Sequence, residues 1–317
     1  MSNNYFEIIR AGVNTTFQDK GRSNLYHIGI PFSGAMDNRN YLLANRLVGN
    51  KLDIPVIEFA YQGPLLELKN GKINFVITGE VSFNIIRKNS EIEIGKCYQN
   101  YILNDKEQID IISTKKSVYG YLSVNGGFEL EKIWKSYSIN TKANIGPNNG
   151  KKFSISEKIF IKEKLFEKNI DRKIEYKNSV DNTIRVIKGT NFDYFSKEAK
   201  EIFFKDEYSV TKLVDRMGMR LDGPFLENKV NTNIKSEGLI RGVIQVPADG
   251  KPIILLSDHG TIGGYPKIAL VISADLDKVA QLTPGTKIKF KEVTLDEAEK
   301  AFNDYILQIS KYLNEYN

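Results

Sequence analysis

The sequence predicts a mainly β protein built from barrels or sandwiches, and three observations carry that reading. Short runs of β-branched and aromatic residues recur along the chain, each followed by Gly, Asn, Asp or Pro, the pattern of strands and turns. Long amphipathic helical patterns are few. Regular strand–helix alternation is missing, which disfavours a doubly wound sheet or a (β/α)₈ barrel. The 317 residues are 41% hydrophobic and 26% charged, an ordinary globular composition long enough for two domains.

In order along the chain, the first helix is expected from Asp37 to Val48, where Met36, Leu43, Ala44, Leu47 and Val48 recur at helical spacing. Strands follow at Ile73–Ile77 and Tyr119–Val124. The stretch from Ile139 to Asn182 is the weakest, with Gly146-Pro147-Asn148-Asn149-Gly150 and then a run of mixed charges. The boundary is placed at its end, giving an N-terminal β-barrel subdomain with connector over 1–182 and a C-terminal one over 183–317. In the second part, strands are expected at Ile184–Ile187, Val243–Val246, Ile253–Leu256 and Lys287–Lys291, the last alternating with one wet face. A short helix is expected from Asp193 to Phe203. A long one follows Thr294, whose pairing with Glu297 makes a capping box ahead of the stripe Ala298, Ala301, Phe302, Tyr305, Ile306, Ile309.

Composition excludes several function classes. The formal charge is +6, but residues 151–188 hold eleven Lys/Arg against six Asp/Glu, a surplus of five. A local, mixed-sign run with little periodic aromatic content reads as a solvated connector or exposed strand edge, so no nucleic-acid partner is expected. Cys97, His27 and His259 are the only Cys and His residues, which argues against a zinc site, a disulfide framework and a conventional Ser-His-Asp arrangement. No apolar run reaches the ~20 residues of a membrane span, and the first residues lack a signal-peptide pattern. A soluble cytoplasmic protein is expected, with no membrane partner.

Polar residues and glycines gather in two places. The first is Gln18-Asp19-Lys20-Gly21-Arg22 with Ser33-Gly34-Ala35-Met36-Asp37 and Asn45 to Asn50. There the Gly-Arg step is expected to set a guanidinium beside a carboxylate, either as an internal ion pair or as a clamp on a planar ligand. Asp37 is also a candidate helix N-cap, with Gly49 at the matching C′ position. The second is Ser236-Glu237-Gly238, Gln245 and Asp258-His259-Gly260-Thr261-Ile262-Gly263-Gly264-Tyr265-Pro266-Lys267. Its glycines can bring backbone N–H groups to an anion, although the run fits neither a Walker A loop nor a dinucleotide fingerprint.

At these residues the chain resembles the biotin-dependent carboxyltransferase-like family that includes the C subunit of 5-oxoprolinase, the KipA protein and the carboxyltransferase part of urea amidolyase. The resemblance runs from about Phe6 to Ala301 and rests on motifs in order. They include the two clusters above, Glu58, Thr78-Gly79, Tyr121-Leu122-Ser123-Val124-x-Gly126-Gly127, Asp215-Arg216-Met217-Gly218-Met219-Arg220-Leu221-x-Gly223-Pro224 and Gln281-Leu282-x-Pro284-Gly285. The chain departs from the pattern where Lys135-Ser136-Tyr137-Ser138-Ile139 replaces a Gly-Ser-Arg-Ser-Thr-like stretch, and again at Gly150-Lys151-Lys152-Phe153.

The resemblance implies two cyclophilin-like β-barrel subdomains. It also implies the C subunit of an ATP-dependent 5-oxoprolinase, opening 5-oxo-L-proline to L-glutamate beside a related cyclophilin-like B subunit, with a hydrolase-like A subunit. ATP is then used by the assembled complex, and no biotin is attached to this chain. The alternatives are a KipA-like regulator antagonising a kinase inhibitor and a free-standing carboxyltransferase acting on a urea-like amide. Candidate catalytic residues are Asp19, Asp258 and Lys267. Substrate contacts are assigned to Arg22, Asp37, Asn45, Gln245, Thr261 and Tyr265, phosphate contacts to Gly260, Gly263 and Gly264, and no metal ligand is assigned. The two clusters are expected to meet at a domain junction, with the catalytic side chains exposed.

Overall fold

The structure is a computed structural model that describes residues 3–162, 171–176 and 181–316. Most of the charged run Lys162–Asn169 and part of the expected domain boundary therefore lie outside the described residues. Two compact units are distinguished: Met1–Arg22 with Ser33–Asn178 and Ser310–Asn317, and Ser23–Phe32 with Ser179–Ile309. Relative to a single cut after residue 182, the segments 23–32 and 310–317 are exchanged between units.

The first unit holds two sheets. In spatial order, the six-stranded sheet runs Lys158–Phe160, Tyr5–Arg10, Leu65–Lys69, Gln108–Thr114, Val81–Ile86 and Ile92–Ile94. The five-stranded sheet runs Thr16–Gln18, Val56–Ala60, Tyr119–Val124, Lys72–Thr78 and Asn100–Asn104. Alternate residues of both sheets, among them Phe6, Ile8, Leu66, Phe83, Ile57, Phe59, Phe75 and Leu122, share one apolar core. The strands Val56–Ala60 and Tyr119–Val124 are buried at every position. This is the signature of a sheet covered on both faces.

Helix α1 (Asn38–Leu47) is bonded to the sheet's second face, through Thr78 Oγ1 to the Asn40 carbonyl at 2.8 Å and Ser123 Oγ to Asn45 Oδ1 at 2.9 Å. Asp37 caps it, accepting the Asn40 N–H at 2.9 Å, and Gly49 follows the helix at φ 79°. The expected first helix thus forms within one residue of its predicted limits.

The second unit is a closed seven-stranded barrel. Its order is Thr183–Lys188, Lys267–Val271, Val243–Gln245, Ile253–Leu255, Gly218–Asp222, Tyr208–Val214 and Lys287–Glu292. Its first and last strands run parallel and close the ring. Ile288 and Phe290 point inward, as the alternation required, and Phe290 stacks on Phe203 at 4.5 Å. The helix expected from Asp193 splits into a 3₁₀ turn at Phe192–Tyr194 and α2 (Lys197–Lys205). Ser196 wins the cap by accepting the Ala199 N–H at 3.1 Å. A short α3 (Leu276–Ala280) had no clear sequence signal. The Thr294–Glu297 capping box forms, with Thr294 N–H on Glu297 at 2.8 Å, and opens α4 (Leu295–Asn314). Among the described residues no helix is long and apolar enough to cross a membrane.

The departure at 135–139 has a structural reading. Ile133 and Ser136 exchange backbone hydrogen bonds of 2.9 and 3.3 Å around a two-residue turn, with Trp134 at φ 52° and Lys135 at φ 64°. Such a turn ordinarily takes Asn-Gly. Lys135 stands where the resembled pattern has glycine, and it carries the strain a glycine would relieve. Lys135→Gly should therefore stabilise the protein by about 1 kcal/mol, read as a higher denaturant midpoint at unchanged slope.

Candidate functional site

The first cluster folds into a buried polar scaffold. Asp19 Oδ1 accepts from Gly21 N at 2.9 Å, Ser136 Oγ at 2.6 Å and Ser138 Oγ at 2.6 Å, while Oδ2 accepts from Tyr137 N at 2.8 Å. Arg22 donates to the carbonyls of Ile133 and Ser138. In place of a guanidinium set beside its neighbouring carboxylate, both residues fasten the segment 133–138. Asn45 donates to the Ile54 carbonyl at 2.8 Å and accepts from Ser123 and Asn50. Glu58 takes the Met36 N–H at 2.7 Å, and Asp37 N–H donates to the hydroxyl of Tyr121 at 2.7 Å. Burial, with the Glu58 and Asp37 carboxylates nearby, holds the Tyr121 phenol well above its ordinary pKa.

The second cluster forms the wall of a cleft of about 410 Å³ in the barrel unit. Gln245, His259, Gly260, Gly263, Gly264 and Tyr265 line it, together with Arg220 and apolar side chains including Leu213, Met217 and Leu239. The strand pair Glu237–Gly238 and Ile262–Gly263 holds this wall. Glycine is required at Gly264, where a Cβ would stand 2.8 Å from the Ile234 carbonyl oxygen. None of Gly260, Gly263 and Gly264 has a positive φ, so these three do not supply the left-handed step of an αR-αL anion nest. Thr261 contributes its carbonyl to Leu239 N–H at 3.0 Å.

Asp258 and Lys267 differ from expectation. Both are 4% exposed, and each faces an opposite charge. Arg216 clamps Asp258 at 2.9 and 3.1 Å. Lys267 Nζ lies 2.8 Å from Glu237 Oε2 and 3.5 Å from Asn191 Oδ1. The Lys267 hydrogen bond holds the Glu237 carboxyl below its ordinary pKa. None of the four residues is among those lining the cleft; the second pair ties the strand Glu237–Gly238 to Lys267–Val271, so the expectation of exposed catalytic side chains fails here because burial demanded partners.

Sequence reading gave too little weight to His259, Arg216, Glu237 and Arg220. The Asp215-to-Pro224 motif was visible and carried two of them, but only the fold brings Arg216 to Asp258. His259 is buried, with Nδ1 2.6 Å from the Gly260 carbonyl and Nε2 3.2 Å from the Tyr26 hydroxyl. A carbonyl only accepts, so Nδ1 carries the proton and Nε2 accepts from Tyr26. Burial is the main cause that lowers the His259 pKa from 6.5.

Two outcomes follow for stability. Asp258→Asn removes the buried negative charge that Arg216 clamps and should cost about 3 kcal/mol, measured by denaturant unfolding, rather than the small shift of an exposed site residue. For His259 the unfolded chain takes up a proton as pH falls below about 6.5, while the folded chain resists it until lower pH. Stability should fall with pH through that window, by up to about 1 kcal/mol per pH unit. His259→Asn should flatten the dependence, as read from thermal midpoints between pH 7.5 and 5.5.

Comparison with known proteins places this architecture. The chain is 31% identical over 316 residues to the C subunit of 5-oxoprolinase from Haemophilus influenzae, covering 98% of this chain and 99% of the relative. It is 30% identical over 319 residues to the protein of the same name from Escherichia coli K12, again covering 98% and 99%. Its structure matches that of K. lactis urea amidolyase with a TM-score of 0.87 at 26% identity, over 98% of this chain but only 20% of that one. The model of the carboxyltransferase domain, subdomain A and B, matches residues 28–292. With that match spanning most of its length, the chain belongs to the carboxyltransferase subdomain A and B family.

Proposed function

We propose that this chain is the C subunit of an ATP-dependent 5-oxoprolinase that opens 5-oxo-L-proline to L-glutamate within a multi-subunit complex. The observation that carries the reading is similarity at about 30% identity, end to end, to two relatives named as the C subunit of 5-oxoprolinase. The partners are then two further subunits, one a related barrel protein and the other hydrolase-like.

The barrel cleft suits the lactam. Its wall is largely apolar, as a small ring needs, and Gln245 brings a primary amide to it with only 5% exposure. An amide faces another amide with complementary donor and acceptor. Tyr265, half exposed on the same wall, supplies a hydroxyl, and Arg220 can exchange its exposed partner Asp249 for the substrate carboxylate. Asp258 and Lys267 act from behind the wall, through Arg216 and Glu237, to keep it in place. Asp19, Arg22, Asp37 and Asn45 serve the reading as the frame of the first unit.

The donor set of the cleft does not suit a triphosphate. The glycine wall makes no nest, and Arg216 and Lys267 are each buried against a carboxylate, which leaves Arg220 as one lining guanidinium, enough for one carboxylate and too little for three phosphates. The nucleotide is assigned elsewhere in the complex.

Carboxyl transfer to a urea-like amide is the second reading, favoured by the match to urea amidolyase. The two separate in one experiment: the chain is combined with the two other subunits and supplied with 5-oxoproline, with and without ATP, and in parallel with urea and carboxylated biotin. Glutamate should form only in the full, ATP-supplied mixture and not with the chain alone. Gln245→Leu should lower kcat/KM about tenfold, the loss of one neutral hydrogen bond, with little change in thermal midpoint. Robust glutamate formation by the single chain, or transfer to urea in place of lactam opening, would overturn the assignment.

A further inference from the structure

The register of the barrel strands sorts the cleft's lining into a row. Arg220 pairs with Ile253, and Ile253 pairs on its other side with Gln245. Directly opposed residues of antiparallel strands share a face, so these three side chains stand in line on the outer surface of the barrel, where all three line the cleft. Their sequence neighbours Met219, Ile254 and Ile244 are fully buried on the inner face. Gly218, two residues before Arg220 and paired with Leu255, shares the outer face and adds no side chain to the floor. A cation and an amide therefore flank an apolar floor, two strand spacings or about 10 Å apart.

Both ends of the row are held ready for another partner. Gln245 is 5% exposed, and its amide has one long contact, Nε2 to the Tyr265 carbonyl at 3.5 Å. Gly263 keeps that amide reachable, because a Cβ there would stand 3.0 Å from Nε2. At the other end Arg220 Nη1 donates to Asp249 Oδ2, and both side chains are partly exposed. Asp249 itself is not among the lining residues. Its other oxygen accepts the Lys251 N–H at 3.2 Å, and the Gly250 N–H closes the same turn on the Pro247 carbonyl at 3.0 Å. The carboxylate is thus held in place independently of Arg220. Among the described lining residues no other side chain carries a fixed charge.

We infer that Asp249 is a built-in surrogate for the substrate's carboxylate. It keeps Arg220 paired until a lactam bearing a carboxylate on the carbon beside its ring nitrogen displaces it, and the ring then lies over Ile253 with its amide at Gln245. The inference rests on the 5-oxoprolinase reading and adds to it an orientation and an internal competitor. An exposed ion pair is weak, so exchanging one carboxylate for another is nearly balanced, and the guanidinium keeps a partner throughout. A ring without the carboxylate cannot make the exchange, and an acid without the amide leaves Gln245 unmet.

The test crosses ligand with protein. Binding of 5-oxo-L-proline, 2-pyrrolidinone and cyclopentanecarboxylate to the full chain is followed by ligand-observed NMR. Asp249→Asn, whose amide oxygen still accepts from Lys251, should tighten 5-oxoproline about threefold, the strength of an exposed pair, and leave 2-pyrrolidinone unchanged. Arg220→Gln should weaken 5-oxoproline and cyclopentanecarboxylate at least about tenfold, again without effect on 2-pyrrolidinone. Gln245→Leu should weaken the two lactams and spare the simple acid. Unchanged or weaker binding of 5-oxoproline by Asp249→Asn overturns the inference. So does a loss of 2-pyrrolidinone binding in Arg220→Gln, or the absence of 5-oxoproline binding to the wild-type chain. If the complex still makes glutamate in those cases, the functional reading stands. If the affinities move as expected and no glutamate forms, the functional reading falls alone.

Discussion

A dry carboxylate has to be given donors, and Asp19 organises the first unit through that requirement. Its four donors come from Gly21 and from the segment 136–138, more than a hundred residues later. Neighbouring groups add to the same junction: Gln18 Nε2 donates to the Ile139 carbonyl at 2.9 Å, and Ile139 N–H to the Phe17 carbonyl at 2.9 Å. The edge strand Thr16–Gln18 and the far end of the unit are thus joined by polar contacts, with the apolar core of Phe17, Phe128 and Phe153 beside them. The two serines that survive in the divergent stretch are the ones whose hydroxyls Asp19 uses. That is why the local frame persists although its glycine and arginine are gone.

The barrel unit obeys the same rule with full charges. Arg216 answers Asp258, Lys267 answers Glu237, and Arg185 answers the buried Asp275 at 2.6 Å. Pairing neutralises the buried charges and leaves amide, hydroxyl and imidazole groups on the lining, with the exchangeable Arg220 guanidinium beside them. The imidazole is neutral and has both nitrogens engaged, so it braces Gly260 and Tyr26 and is not a ready base. A wall of this kind suits a neutral ring through shape and hydrogen bonding, the property on which the proposed lactam reading relies.

Much of the fold was legible because its signals are local. Period-two alternation gave Lys287–Glu292, apolar runs gave Tyr119–Val124 and Ile253–Leu255, and the Thr294–Glu297 box gave α4. The start of α2 was missed because two cap formers, Asp193 and Ser196, lie three residues apart, and only the second is extended, at φ −62° and ψ 162°. The membership of residues 23–32 in the barrel unit was not legible, since it rests on Tyr26 meeting His259 across 233 positions. The site was legible as a set of residues and not as roles. Asp258 and Lys267 look like exposed acid–base groups until tertiary structure supplies their partners, and Trp134-Lys135 gives no turn signal because the clamp that bends it is distant.

The parallel pairing of Thr183–Lys188 with Lys287–Glu292 sets an order of events in the life of the chain. Six of the seven barrel strands emerge from the ribosome before their ring can shut, and the strand at 183–188 must wait about a hundred residues for its neighbour. At ordinary elongation rates of ~5–20 residues per second, that interval lasts many seconds, with the edges of Thr183–Lys188 and Tyr208–Val214 unpaired. Such edges are templates for wrong pairing. The alternating lysines at 287, 289 and 291 on the closing strand keep that last piece soluble and poorly suited to self-association until the barrel receives it.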